Sequence, residues 1–205
     1  MNLNNLESQY LGIVDYQLGL KLQDDLVVLA KDRLQTTVLG LQHPKVITLG
    51  KRAPQNFVSE FPIFQTNRGG LVTIHSEGQL VIYPVMNIKR HQIGVKKFVQ
   101  LLLETTQKVF NNYDVETFLD DRQIGLYTKK GKIAFCGLEI RDGVSLHGLS
   151  INISNDLSFF NQITSCGVEK IDTDRLNYYH LGITEKDFFN TWIDFFKKNQ
   201  VKKLI

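Results

Sequence analysis

IGLYTKKGKIAFCGLEIRDGVSLHGLSINI, residues 124–153, is the stretch on which the fold turns. Three runs rich in apolar and β-branched residues, Ile124 to Thr128, Lys132 to Ile140 and Val144 to Ile153, are separated by Lys129-Lys130-Gly131 and by Asp142-Gly143. Short turns of this composition join neighbouring antiparallel strands, so the stretch predicts a three-stranded meander.

Outward from the meander the periodicity changes. Val95, Phe98, Val99, Leu102 and Val109 recur at helical spacing. Downstream, Thr184 and Asp187 match a capping box, and Phe188, Phe189, Trp192, Ile193 and Phe196 form the apolar stripe of a C-terminal helix. Toward the N-terminus, Asp15 to Leu34 reads as a helix with Asp15 as N-cap and Leu18, Leu22, Leu26 and Leu29 as its apolar stripe. Thr36 to Gln42 and Lys45 to Leu49 read as strands flanking a His43-Pro44 turn, and Leu80 to Tyr83 as a further strand. Helices interspersed with hairpins predict an α+β fold, in which helices cover one face of a mostly antiparallel or mixed sheet. The four prolines are scattered and there is no repeat, so residues 1–205 are read as one domain.

Composition narrows the function. The 205 residues carry 24 Lys and Arg against 21 Asp and Glu, a net charge of +3, too small to predict nucleic-acid binding. The dense basic cluster, Lys197, Lys198, Lys202 and Lys203, is read as a solvated helix end facing the negative pole of the dipole. Apolar runs fall far short of the roughly 18 to 20 residues of a membrane span. MNLNNLESQY has no export pattern, so a cytoplasmic location is expected. Two cysteines outside any C-x-x-C pair and no H-E-x-x-H motif predict no structural metal and no zinc site.

Few residues remain for chemistry. Arg68-Gly69-Gly70 is a turn whose amides can approach a ligand, yet it is neither a P-loop nor a dinucleotide fingerprint. Cys166, in Thr164-Ser165-Cys166-Gly167, reads either as a small buried residue or as a loop thiol open to substrate. Cys136 lies within a strand and is expected to be buried. Lys132 alone reads as a surface hairpin lysine. His147 beside Gly148 is equally a structural or a substrate-site histidine, whereas His43, His91 and His180 carry no pattern.

Taken together, R-G-G-x-x-T-x-H (Arg68 to His75), G-Q-L-x-x-Y-P (Gly78 to Pro84), G-K-I-A (Gly131 to Ala134), H-G-L-x-x-N (His147 to Asn152) and Cys166-Gly167 resemble the lipoyl(octanoyl) transferase family of lipoate biosynthesis in order and spacing. The resemblance implies the fold of the lipoate and biotin protein ligases. It also implies transfer of an octanoyl group from acyl carrier protein to a lysine of lipoyl domains, those of 2-oxoacid dehydrogenases or the glycine cleavage H protein, with no cofactor. By the same resemblance Cys166 matches the thioester-forming nucleophile and Lys132 the lysine that lowers its pKa. Arg68, Gly69, Gly70, Leu71, Val72, Thr73, Ile74 and His75 match one substrate-binding segment. Phe135, Cys136 and Gly137 match a second, and Gly148, Leu149 and Ser150 a third. The chain departs from the family pattern at Ser76-Glu77, at Ser165 and Ser150, and at Phe135, where a ring narrows a pocket that a small residue would leave open. An ATP-dependent lipoate ligase, a lipoyl-domain amidotransferase and a non-catalytic module binding acyl carrier protein or lipoyl domains are the competing readings.

Overall fold

A computed structural model describes residues 6–32, 35–54, 56–120, 124–164 and 171–202. Its strands are β1 (Leu6–Ile13), β2 (Thr36–Gln42), β3 (Val46–Leu49), β4 (Ile63–Gln65), β5 (Val72–His75), β6 (Gln79–Val85), β7 (Phe118–Leu119), β8 (Gly125–Thr128), β9 (Gly131–Arg141) and β10 (Val144–Asn152). The helices are α1 (Tyr16–Asp32), α2 (Val95–Asn112), the single turn α3 (Asn161–Thr164) and α4 (Glu185–Lys202). A seven-stranded sheet runs β1-β2-β6-β10-β9-β8-β7, and a three-stranded sheet runs β4-β3-β5. Only β1 with β2 and β3 with β4 pair in parallel; the other neighbours are antiparallel.

The predicted meander is β8-β9-β10, with Lys129-Lys130 and Asp142-Gly143 in its turns. The strands flanking His43-Pro44 also form, but they enter different sheets, β2 the large one and β3 the small one. Four strands escaped the sequence reading: β1, β5, β4 and β7. The two last are three and two residues long, too short for a period to register.

Helices lie on both faces of the large sheet, not on one. The stripes of α2 and α4 pack on Leu80, Ile82, Leu149 and Ile151, while α1 packs on the opposite side, over Leu39, Leu41, Val81, Tyr83 and Val85. The reason is visible in β6 and β10, buried along their whole length: a strand apolar on both sides needs two covers. The stripe of α1 also differs from expectation. Tyr16, Gly19, Gln23, Val27 and Ala30 face inward and Leu18 is exposed, because Gly19 lets the helix settle on the His43 ring, which an added Cβ would meet at 2.9 Å. Asp15 does cap the helix, accepting from the Gln17 amide at 2.8 Å.

The C-terminal helix is the best-specified element. Thr184 and Asp187 exchange amide hydrogen bonds of 3.1 Å each, and all five stripe residues are buried. Trp192 stacks on Phe196 at 4.8 Å and donates from Nε1 to Thr106 Oγ1 at 2.9 Å, joining α4 to α2. Lys197 and Lys198 are exposed on its outer side, as read, and Lys203 lies outside the described residues. No helix among the described residues is long and apolar enough to cross a membrane. Removing the buried indole leaves a cavity and takes one donor from the Thr106 hydroxyl, which keeps its own bond to Leu102 O, so Trp192→Ala is expected to lower unfolding stability by about 3 to 5 kcal/mol, measured by urea titration.

Candidate active site

The sequence motifs meet at one cavity of about 660 Å³, a volume in the range of small-ligand sites. Its wall is built by Arg68, Gly69, Gly70, Leu71, Val72, Thr73 and His75 from β5 and the turn before it, by Lys132, Phe135, Cys136 and Gly137 from β9, and by His147, Gly148, Leu149 and Ser150 from β10. Ile74 is the exception: its side chain points away and is fully buried in the core of the small sheet. Strand alternation sets Ile74 on the side of β5 opposite Thr73 and His75, where it shares the small-sheet core with Val72.

Arg68 holds the turn together. Its guanidinium, 7% exposed, donates to Thr48 O at 2.7 Å, to Leu71 O at 3.0 Å, to Gly69 O at 3.1 Å and to Thr48 Oγ1. The Gly69 amide donates to Leu138 O at 2.8 Å and ties the turn to β9. Burial lowers the Arg68 pKa to about 10. The Arg68-Gly69-Gly70 motif is thus first a brace between the two sheets.

Beneath this turn lies a network that sequence reasoning largely missed. His43 is fully buried, with Nδ1 2.7 Å from Val14 O and Nε2 2.8 Å from the Tyr83 hydroxyl. Tyr16 packs edge-on against the His43 ring at 5.0 Å and parallel to His75 at 6.1 Å. His75 Nδ1 lies 2.7 Å from Gln79 Oε1, and Gln79 donates onward to Asn152 Oδ1 at 3.0 Å. The G-Q-L-x-x-Y-P motif contained both Gln79 and Tyr83, but nothing in sequence linked His43 to them. Burial lowers the His43 pKa to about 4 and that of His75 well below its ordinary value. It raises Tyr16 to about 12. His147 takes a left-handed backbone, φ 57°, which a non-glycine residue rarely adopts. The buried Gln23 of α1 holds it there by accepting from its amide at 2.6 Å. Its ring faces Glu139 at 3.7 Å, and that contact holds the Glu139 carboxyl below the usual range.

Lys132 overturns the surface reading. It is 4% exposed, and its Nζ sits 4.9 Å from the centroid of the Phe135 ring and 5.2 Å from that of Tyr127. Gly125, across on β8, makes the room: a Cβ there would meet Lys132 Cε at 2.5 Å. The backbone is fixed as well, Lys132 N donating to Asp172 O at 2.7 Å and Lys132 O accepting from Asp174 N at 2.9 Å. Desolvation lowers its pKa to about 8. Cys136 is half-buried rather than buried, a strand residue at the cavity wall, yet packing around its thiol raises the pKa to about 12. Cys166 and Ser165 lie outside the described residues. Ile163, three positions before Cys166, and Ile171, five after it, both line the cavity. No metal-binding group of His, Cys, Asp or Glu occurs among the described residues.

The sequence profile of the lipoyl protein ligase A/B catalytic domain matches residues 15–194. The chain belongs to that family. Among its relatives, an octanoyltransferase of Persephonella marina is 32% identical over 201 residues, covering 95% of this chain and 94% of the relative. One from Shewanella piezotolerans is 33% identical over 167 residues, 80% of this chain and 76% of the relative. Among solved structures, a lipoate-protein ligase A bound with ATP superposes with a TM-score of 0.72 at 13% identity, covering 95% of this chain and 85% of that one. The biotin protein ligase of Aquifex aeolicus gives 0.56 at 13% identity over 98% of this chain and 70% of that one. The expected ligase-type fold of this family is therefore present.

The buried histidines make stability acid-sensitive. An unfolded histidine takes its proton near pH 6.5, while folded His43 does so only near 4. The stability they contribute is complete above pH 6.5 and is lost as pH falls toward 4, by about 3 kcal/mol for His43 alone. Urea midpoints measured across that window are expected to fall steeply, and more gently in His43→Gln.

Proposed function

We propose that this chain is an octanoyltransferase that carries the acyl group on Cys166, taking it from acyl carrier protein and delivering it to the lysine of a lipoyl domain. The observation that carries this reading is Lys132, an ammonium held almost out of water in the wall of a largely apolar cavity, with the chain on both sides of Cys166 anchored at that wall. The octanoyltransferase relatives supply the acyl group.

An ordinary thiol, with pKa about 8.5, is only a few per cent ionised at pH 7. An ammonium about 4 Å away, at an effective dielectric near 20, attracts a thiolate by about 4 kcal/mol, and half of that lowers the pKa by about 1.5 units, enough to ionise about half of the sulfur at pH 7. Lys132 therefore activates and does not attack. In the first step the Cys166 thiolate adds to the donor thioester carbonyl, and the tetrahedral adduct collapses by expelling the carrier thiol as thiolate. In the second the neutral amine of the acceptor lysine adds to the acyl-Cys166 carbonyl. Collapse expels the Cys166 thiolate, and the amide forms as the nitrogen sheds its proton. The donor is already activated, so ATP is not consumed. Cys136 is unsuited to the role, because its raised pKa keeps it a thiol.

The acyl tail lies along Phe135, Phe160 and Ile163, where the two rings stack at 5.3 Å and bound the room available to it. Six or seven buried methylenes contribute roughly 5 kcal/mol, enough to select chain length.

Mixing the protein with octanoyl-acyl carrier protein is expected to give a single octanoyl adduct on Cys166, seen by intact and peptide mass spectrometry, and none in Cys166→Ser. Lys132→Met is expected to slow adduct formation by at least a hundredfold. The wild-type rate should decline above about pH 8, as Lys132 loses its proton. Transfer by Cys166→Ser, or transfer that requires ATP, would overturn the proposal in favour of a ligase. An untouched donor would leave a carrier-protein-binding module.

A further inference from the structure

Lys132 lies at a break in strand alternation. On β8 and β9, Leu126 faces Ala134 and Tyr127 faces Lys132, so Ile133 is an extra residue with no partner across the pair. This bulge shifts the phase of β9. In a regular strand, residues 132 and 135 would point to opposite sides. Here they share one side with Gly125 and Tyr127, and the Lys132 Nζ comes to rest between the faces of two rings, 4.9 Å from Phe135 and 5.2 Å from Tyr127. Both distances lie within the roughly 6 Å over which a ring face attracts a cation.

We propose that Phe135 and Tyr127 form an aromatic clamp that keeps the Lys132 ammonium charged and aimed into the cavity, making them positioning residues for the acyl-transfer chemistry. This deepens the reading that Lys132 activates Cys166 and rests on it only for its catalytic consequence.

The need for a clamp follows from the surroundings. Burial disfavours the charged form. Among the described residues, the titratable groups acting on Lys132 are Cys136 on the same strand and Asp120 beyond β7, and both favour the charged form by less than burial disfavours it. From the segment that crosses over it, Asp172 and Asp174 meet Lys132 through their backbones, and the Asp174 carboxylate is occupied by Thr128 Oγ1 and the Tyr179 hydroxyl. A ring quadrupole can stabilise the ammonium without offering a carboxylate, which would hold the cation in an ion pair and compete with a thiolate for it. Phe135 is fixed for this task by its stack on Phe160, 5.3 Å away and within 13° of parallel.

The test titrates Lys132 directly, without substrate and in a Cys166→Ser background, by competitive acetic anhydride labelling read on the Lys132 peptide by mass spectrometry across pH 6 to 11. Replacing Phe135 by phenylalanines carrying one, two and three ring fluorines nearly preserves shape while weakening the ring face. The clamp predicts a graded fall in Lys132 proton affinity, reaching about tenfold, or one pKa unit. Phe135→Tyr should keep the wild-type titration and Phe135→Leu should lower it. In the Cys166 protein, the high-pH limb of adduct formation should move down by the same amount. A Lys132 titration unmoved across the fluorinated series would overturn the clamp. A graded shift in a protein whose Cys166→Ser form still transfers acyl groups would leave the clamp standing and remove only its assigned catalytic role.

Discussion

An ammonium kept out of water is costly, and the architecture around Lys132 is what makes it tolerable. Gly125 leaves the volume the side chain occupies, the bulge at Ile133 points it toward the cavity, two rings face the charge, and the chain at Asp172 and Asp174 grips the backbone on both sides. These contributions come from separate parts of the sequence. The seven-stranded sheet is the frame that holds them in register, and it is stiff because its central strands are covered on both faces.

Polar groups within the fold follow the same rule, with a different outcome. His43, His75, Gln79, Asn152 and Tyr83 are buried together and satisfy one another, so the histidines stay neutral. Arg68 is buried too, but its charge is spread over backbone carbonyls and the Thr48 hydroxyl, with no carboxylate among its hydrogen-bond partners in the described residues. Two buried cations therefore sit in one cavity wall, one fully occupied by the scaffold and one left facing the cavity. That contrast separates a brace from a group free to act on a ligand.

Much of this could be read from residues alone. The meander, the second and last helices and the capping box at Thr184 rest on local signals, turn glycines and 3.6-residue spacing, and those signals held. The candidate site residues, apart from Ile74 and the undescribed Cys166, line one cavity, whereas other motif positions such as Gly78, Gln79, Gly131 and Asn152 do not. The failures share a cause. Leu18 to Leu29 was a better apolar stripe by composition than Tyr16 to Ala30, but Gly19 against His43 decided which face turned inward. Lys132 looked like a hairpin lysine because neither the bulge nor the crossing of Asp172 over it leaves a mark in the sequence. His43 was silent because its partners, Val14 O and the Tyr83 hydroxyl, are distant in the chain. Local chemistry is written locally; contacts between distant segments are not.

The position of α4 in chain order has a consequence for biosynthesis. The unit from β1 through α1 to β2 and the meander from β8 to β10 are both assembled from neighbours in sequence, and each can form soon after it leaves the ribosome. The helix that seals their common face comes after all of them and closes over β1, β2 and β6 from more than 100 residues away. Until α4 emerges, Leu80 and Ile82 of β6 lack part of their cover, and apolar surface exposed in this way makes a nascent chain prone to stick to its neighbours.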